Sequence, residues 1–265
     1  MKLDELVETL EGTVHFPAEL EFDRIGVIQS TNVDIRKLAV CVNLTDYVMQ
    51  ETKRLGVNFL VVHHGHGDEV KQRVQQLGIG AYGLHLALDV GALIDGFANV
   101  FDLQNIKPLT FVYKGTSVHR GALLGNAKSK TPTVGYFVDH LFHFFSHYLG
   151  QNNMVISSYN VSRELNPVIV ATGLAIRREF LEQVAQYSPR LFIAGGVKNG
   201  AEDYAKELGI ALMTIGDFES HYPGMQAFAN VLGLKMELYR IFKEGQRHSS
   251  ITKNPVLVIP DYKIK

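Results

Sequence analysis

The sequence predicts an α/β fold built around two related βαβαβ stretches, and three observations lead there. Short apolar, β-branched runs such as Phe59–Val62 and Leu191–Ala194 have the texture of strands covered on both faces. They alternate with stretches of helical periodicity that close on a glycine. The two stretches, Lys37–Asp89 and Pro167–His221, also share element order and similar length. Each carries Leu-Gly-Ile before its last strand, at Leu77-Gly78-Ile79 and Leu208-Gly209-Ile210. Plain βαβ regularity can mimic such a repeat. Its weight comes from histidine and aspartate falling at matching strand ends.

In chain order, Leu3, Leu6, Val7 and Leu10 recur at helical spacing before Gly12, which predicts an amphipathic helix over residues 2–11. Ile25–Ile28 is a short strand candidate. Leu38–Val42 reads as a buried strand, Thr45 as an N-cap, and Asp46–Leu55 as a helix closed by Gly56. Cys41, the only cysteine, lies inside that strand, so no intrachain disulfide is possible and a small buried hydrophobe is the expected role. After Phe59–Val62 come a helix, Glu69–Leu77, and a strand, Gly80–His85. From 109 to 166 the texture changes and reads as an insertion or second lobe. There Leu109–Tyr113 and Val118–Leu124 look like paired strands around Lys114-Gly115, Thr133–Leu149 like a helix, and Met154–Ser158 like a further strand. The first pattern returns with Val168–Ala171 as a strand and one helical face of Ile176, Phe180, Leu181, Val184 and Tyr187. Leu191–Ala194 is the next strand, Ala201–Leu208 a helix closed by Gly209, and Ile210–Ile215 the last strand.

A chain of 265 residues, 46% hydrophobic and 20% charged, is ordinary for a globular protein of one large or two small domains. A formal net charge of -1 offers no bulk electrostatic case for nucleic acid or an anionic membrane. No apolar run approaches the ~20 residues that span a bilayer. Asp4 and Glu5 stand where a signal peptide would be apolar, so the expected compartment is cytoplasmic.

The chemistry concentrates in Asn58–Asp68, which reads N-F-L-V-V-H-H-G-H-G-D. Its strand ends in His63 and His64, and ligands of open α/β sheets sit outside the carboxyl ends of strands. Adjacent strand residues face opposite sides. Both imidazoles serve one site only if the chain turns at Gly65, or if the site holds two centres; otherwise they are a hydrogen-bonded pair capping a buried strand. His85 and Asp89 leave the last strand of the first stretch, and Asp217 and His221 leave that of the second. Imidazole with carboxylate suits zinc, manganese, iron or nickel. Six such groups exceed what one tetrahedral zinc takes and suffice for two divalent metal ions roughly 3.5–4 Å apart. Alone, Asp217 and His221 read equally well as a solvated turn or a helix cap. Glu219 and Asp68 are candidates for supporting groups or a general base beside a metal-bound water; for His66 a surface loop is the plainer reading. His140, His143 and His147 share one helical face. Phe137, Leu141, Phe144, Phe145 and Tyr148 lie beside them, which favours partly exposed or interfacial histidines. His15, His119 and His248 have no supporting context. Gly195–Gly200 resembles a phosphate-cradling loop but fits neither the Walker pattern nor G-x-G-x-x-G, and a tight turn is the better reading. No G-x-S-x-G occurs, which argues against a serine hydrolase elbow.

These residues resemble a known family, the dinuclear-metal-centre proteins called NGG-one-interacting-factor-three-like, also known as GTP cyclohydrolase I type 2 homologues. Ile25–Gly65 is similar to the family's amino-terminal motif, with Arg54-Leu55-Gly56 and Val61-Val62-His63-His64-Gly65 within it. Gly83–Asp89 resembles its H-x-x-x-D segment, Ala171-Thr172-Gly173 and Ile193–Val197 its later strands, and Gly224–Leu232 its closing helix. The resemblance implies two interlinked α/β lobes with a two-metal site at the strand ends between them, and often a toroidal homohexamer. It assigns metal ligands to His63, His64, His85 and Asp89. The family usually completes its site with a His and then a Glu four positions on, just before the closing helix. Here those positions are Asp217 and His221, so the ligand types look exchanged, and Glu219 could replace either. On this pattern the first lobe is expected at residues 1–108, rejoined by 217–265, with the second inserted at 109–216. The expected function is a metal-dependent hydrolase acting on a nucleotide-like small molecule, with Glu219 as candidate general base. GTP cyclohydrolase activity is implied by the resemblance alone. Two alternatives stand beside it: a metal-stabilised oligomeric scaffold or regulatory partner without turnover, and structural histidines that bind no metal.

Overall fold

The structure, a computed structural model, describes residues 1–14, 18–23, 26–113, 115–148, 157–159, 164–173, 176–244 and 256–259. For 18, 19, 21, 147, 148, 157 and 236–244 it describes the backbone only. Its elements in chain order are α1 (Leu3–Glu11), a 3-10 turn (Ala18–Asp23), β1 (Gly26–Gln29), β2 (Leu38–Cys41), α2 (Asp46–Leu55), β3 (Phe59–Val62), α3 (Asp68–Leu77), β4 (Gly80–Gly83) and α4 (Leu86–Leu88). A π-helical turn (Asp89–Leu93) leads into α5 (Ile94–Val100), β5 (Leu103–Tyr113), β6 (Thr116–Ala127), α6 (Val134–Tyr148) and β7 (Ser157–Tyr159). The chain continues with β8 (Val168–Val170), α7 (Arg178–Val184), β9 (Leu191–Ala194), α8 (Ala201–Glu207), β10 (Ala211–Thr214), α9 (Asp217–Glu244) and β11 (Val256–Val258).

Two sheets result. One runs β1-β4-β3-β2-β11, with β2, β3, β4 and β11 parallel and β1 antiparallel at its edge. The other runs β5-β6-β8-β9-β10-β7, with β8, β9 and β10 parallel and both flanks antiparallel. The two predicted βαβαβ stretches are therefore real counterparts: β2-α2-β3-α3-β4 and β8-α7-β9-α8-β10 each lay down three adjacent parallel strands. Parallel strands need helical crossovers and coverage on both faces, and β2, β3, β4 and β9 are buried along their whole length. Local chemistry sets the boundaries. The Thr45 hydroxyl accepts the Val48 N–H at 3.2 Å to start α2, and Gly56, at φ 66°, ends it. Cys41 is fully buried, as expected.

The chain forms two compact units, one of Met1–Leu88 and Met225–Lys263, the other of Asp89–Gly224 and the last two residues. The first division thus falls at Leu88/Asp89 rather than near residue 108. The reason is local: Arg120 on β6 donates to the Val90 carbonyl at 2.9 Å and pairs with Asp95 at 2.5 Å, tying the π turn and α5 to the second unit. The second division falls at Gly224 rather than 216. A Cβ on Gly224 would fall on the Leu93 backbone, and one on Gly96 would fall on Gly224, so the start of α9 crosses α5 backbone to backbone.

Other boundaries also differ from the sequence reading. The strand expected at Gly80–His85 stops at Gly83, and α4, the π turn and α5 follow where no element was predicted. The closing helix begins at Asp217, not near Gly224, so Asp217 and His221 lie within its first turns. Ile176 pairs with Val197 in an isolated bridge instead of joining a helical face, because Arg177 is extended and α7 starts only at Arg178. Tyr187, expected on that face, is exposed. The strand read over Met154–Ser158 is described only from Ser157; the rest of that segment lies outside the described residues.

The α5–α9 crossing gives a direct test. Gly224→Ala inserts a methyl where two backbones touch, and overpacking of this kind costs about 1–3 kcal/mol. Urea unfolding should show a lower midpoint with an unchanged slope; an unaltered midpoint would mean that the backbones are not in contact.

Candidate metal centre

In the first unit, the histidines stand where parallel strands end. The N–H groups of both His63 and His64 reach β2, at the carbonyls of Cys41 and Val42, each at 2.9 Å. In a regular strand, successive N–H groups alternate sides, so two consecutive ones bonding the same neighbour mark the point where alternation breaks. The chain therefore turns at His63-His64 themselves, one step earlier than the turn expected at Gly65. Gly65 serves the loop differently. A Cβ there would lie 3.1 Å from the Gly83 Cα and 3.0 Å from Ile28, so glycine lets this loop close on the sheet without crowding. The break puts both imidazoles on one side. The ring centroids of His63 and His64 are 4.5 Å apart, those of His63 and His85 5.0 Å, and those of His64 and His85 5.4 Å.

Each ring is oriented through Nδ1. His63 Nδ1 donates to the Leu84 carbonyl at 3.0 Å, His64 Nδ1 to Asn43 Oδ1 at 2.7 Å, and His85 Nδ1 to Asp23 Oδ2 at 2.7 Å. A carbonyl or carboxylate only accepts, so each Nδ1 carries a proton, and in the neutral ring Nε2 carries the lone pair. Asp23 and Asn43 were not singled out from sequence. Neither sits in a motif, and Asp23 reaches His85 across 62 residues from the end of a 3-10 turn. Asp23 also accepts the Leu86 N–H at 2.9 Å, and its other oxygen lies 3.5 Å from Nε2 of His66. Burial raises the Asp23 pKa, but the His85 hydrogen bond, the Leu86 N–H and the two neighbouring imidazoles outweigh it and leave it below the usual carboxylate value. His66, Asp23 and His85 together form one group whose ligand atoms could hold a metal ion.

In the second unit, Asp89 opens the π turn, and Asp217, Glu219 and His221 lie at the start of α9. His221 is almost fully buried. Its Nδ1 donates to the Asp217 carbonyl at 2.7 Å, and its Nε2 lies 3.1 Å from Asp89 Oδ1. Thr172, just past β8, donates its hydroxyl to the same Asp89 oxygen at 3.0 Å. Ser220, also fully buried, accepts the Gly173 N–H at 2.9 Å and donates to the Asp217 carbonyl at 2.8 Å. The loop after β8 thereby fixes both Asp89 and the first turn of α9. Gly173, at φ 65°, lets it lie against the His221 ring. Glu219 folds back over Gly216, into the space a Cβ there would need, so its carboxylate lies beside the helix N-terminus where negative charge is favoured.

The remaining candidates are dispersed. Asp68 is the first residue of α3 and His66 is half-exposed. His140 donates to the Tyr136 carbonyl of its own helix, His143 is exposed, and the side chain of His147 lies outside the described residues. His119 pairs with Thr110; His15 and His248 lie outside the described residues. The Gly195–Gly200 segment is a turn: a Cβ on Gly195 would clash with the Gly173 carbonyl and Ser220 Oγ, and Gly200 is left-handed at φ 80°. No helix among the described residues is long and apolar enough to cross a membrane.

Fold and side chains together define a mixed α/β protein whose strand and helix ends carry His/Asp groups able to hold a metal ion. The chain belongs to the Duf34/NIF3 (NGG1p interacting factor 3) family, whose model matches residues 1–254. A relative from Methanocaldococcus jannaschii, named a GTP cyclohydrolase 1 type 2 homolog, is 22% identical over 253 residues, covering 90% of this chain and 97% of its own. A relative of the same name from Archaeoglobus fulgidus is 23% identical, covering 91% of this chain and 97% of its own. Among solved structures, hypothetical protein SA1388 of Staphylococcus aureus superposes with a TM-score of 0.71 at 17% identity over 98% of this chain and 96% of that one. Reduced HcgD from Methanocaldococcus jannaschii does so with a TM-score of 0.64 at 20% identity, over 98% and 97%. At these identities the structural matches establish the fold.

Two predictions arise here. Ser220→Ala removes the acceptor of a buried N–H, which costs about 1–3 kcal/mol; urea unfolding should show it, and a neutral effect would mean that the loop after β8 is not held through Ser220. The second concerns pH. Burial pushes the His221 pKa down, but the hydrogen bond and charge of Asp89, with Asp217, more than compensate and leave it above the ordinary imidazole value. A group whose pKa rises on folding stabilises fully below its unfolded value of ~6.5, and that contribution is lost as pH climbs through the folded value. The stability difference between metal-free wild type and His221→Gln should therefore shrink as pH rises from about 6 to about 9. A difference that grows over this range would contradict the pairing with Asp89.

Proposed function

We propose that this protein is a dinuclear metal-dependent hydrolase of a nucleotide-like substrate, with His63, His64, His85, Asp89, Asp217 and His221 holding two divalent ions. One observation carries the reading. Four imidazoles, His63, His64, His85 and His221, each tie Nδ1 to an oxygen acceptor. Metal-ligating histidines characteristically donate their other ring nitrogen to a carbonyl or carboxylate, which fixes the tautomer and aims the lone pair. In the first unit, three rings held in this way also gather at neighbouring strand ends, with centroids 4.5 to 5.4 Å apart, which an isolated back-bond such as that of His140 to Tyr136 does not supply. The chemistry of the donor set also fits: imidazole with carboxylate suits zinc, manganese, iron or nickel.

Divalent ions at these residues would supply Lewis-acid activation of water and polarisation of the scissile bond. The protein's own part is orientation and proton transfer. Leu84, Asn43 and Asp23 hold the imidazoles of the first unit, Thr172 and Ser220 hold Asp89 and the start of α9, and Glu219 is the proposed general base. The exchange to Asp217 and His221, relative to the usual His and Glu, keeps one carboxylate and one imidazole on the same helical face. The names of the relatives support a nucleotide as substrate class, with GTP the first to try. A cytoplasmic homohexamer belongs to the same reading through the family resemblance, and light scattering would test its subunit count.

Elemental analysis of untagged protein tests the centre: near two transition metals per chain, falling in His64→Ala and Asp89→Ala with the circular dichroism unchanged. Because protons compete for imidazole and carboxylate, loading should weaken as pH falls. Metal-loaded protein should release formate from GTP, or turn over another nucleotide, and lose that activity in Asp89→Ala. Protein that takes up no zinc, manganese, iron or nickel would refute the centre. Full metal loading without turnover would leave the metal-stabilised scaffold as the function.

A further inference from the structure

Resting on the reading of His85 as a ligand, we infer that Asp23 is its positioning residue: a carboxylate that locks the His85 tautomer and strengthens its Nε2 as a donor. Three imidazoles of the first unit, His63, His64 and His85, differ in what holds the inner nitrogen. His63 leans on a backbone carbonyl and His64 on a side-chain amide, both neutral; His85 leans on a carboxylate, at 2.7 Å. An anionic acceptor makes the imidazole a stronger ligand than a neutral one does, because it stabilises the positive charge that metal binding leaves on the ring.

Asp23 is itself held in place for this role. Its Oδ2 receives the His85 N–H and the Leu86 N–H, the latter at 2.9 Å, so the backbone next to His85 anchors the same oxygen that orients its ring. The carboxylate is partly buried, and its pKa lies below the usual value despite that burial. The second oxygen faces the half-exposed His66 at 3.5 Å, too far for a firm hydrogen bond. His66 is therefore an accessory neighbour rather than what keeps Asp23 in place.

Two readouts on the full-length protein test this, one of which needs no metal. In metal-free wild type, long-range ¹⁵N–¹H correlation should show His85 as the Nδ1–H tautomer, and Asp23→Ala should convert it to a mixture. In a zinc competition assay against a chromophoric chelator, Asp23→Ala and Asp23→Asn should each bind roughly 10- to 100-fold more weakly at an unchanged number of ions per chain. His66→Ala should retain both the tautomer and the affinity. If Asp23→Ala does not fold, the near-isosteric Asp23→Asn, which keeps an acceptor for Leu86, decides by affinity alone. Persistence of the Nδ1–H tautomer in Asp23→Ala, or wild-type affinity in Asp23→Asn, overturns the inference. So does a drop in ion count matching that of His85→Ala, or a loss in His66→Ala equal to that in Asp23→Ala; either result would make Asp23 a ligand of an ion held with His66. Wild type that binds no zinc would defeat the metal centre while the tautomer measurement still judged Asp23.

Discussion

The break in strand alternation at His63-His64 is the constraint on which the rest of the first unit depends. A regular strand would send the two imidazoles to opposite faces of the sheet. Because both N–H groups stay on β2, at Cys41 and Val42, the side chains turn together. That needs a rigid neighbour to pair with, which β2 provides as a buried parallel strand in register from Leu38 against Phe59 to Cys41 against Val62. It also needs room for the chain to leave, which Gly65 provides by closing on Gly83 without a Cβ between them. The apolar run before the histidines and the glycine after them are thus parts of one device.

The second unit reaches a similar end by a different route. There the strand β10 hands over to a helix, and side chains projecting from the first turns of α9 meet Asp89 from the π turn. Serine, threonine and glycine do the fixing: Ser220 and Gly173 join the loop after β8 to α9, and Thr172 shares the Asp89 oxygen that faces His221. A helix start is well suited to Asp217 and Glu219, since negative charge near an N-terminus is favoured by the unpaired N–H groups there. At a spacing of four, Asp217 and His221 lie on one helical face.

Much of this architecture was legible in the sequence because periodicity and capping are local. Thr45 and Gly56 bound α2 where they were expected, and the Leu-Gly-Ile turns precede β4 and β10. The histidines were legible as well, since a tandem pair after an apolar run is rare chemistry in a visible place. What escaped reading is what depends on distant partners. Asp23 has no periodic context and becomes meaningful only when the fold brings it to His85, 62 residues away. Asn43 is an unremarkable loop residue until the turn at His64 meets it. The start of α9 was expected near Gly224 from the family resemblance, and the helix begins at Asp217. Pro223, which lacks a donor and usually interrupts a helix, lies inside α9 as its seventh residue. The early boundary of the second unit rests on Arg120 binding Val90 and Asp95, a contact no local pattern announces.

Imidazole and carboxylate in proximity are compatible with ion pairing, strand capping or metal binding. Use of Nδ1 does not separate these by itself, since His140 makes the same bond to the Tyr136 carbonyl that His221 makes to that of Asp217, one helical turn back. Convergence is more selective. His63, His64 and His85 are each held at Nδ1 by a different kind of acceptor, a carbonyl, an amide and a carboxylate, and their ring centroids still come within 5.4 Å of one another. Capping a strand end asks for one such ring, whereas a metal centre asks for several, separately anchored and gathered together.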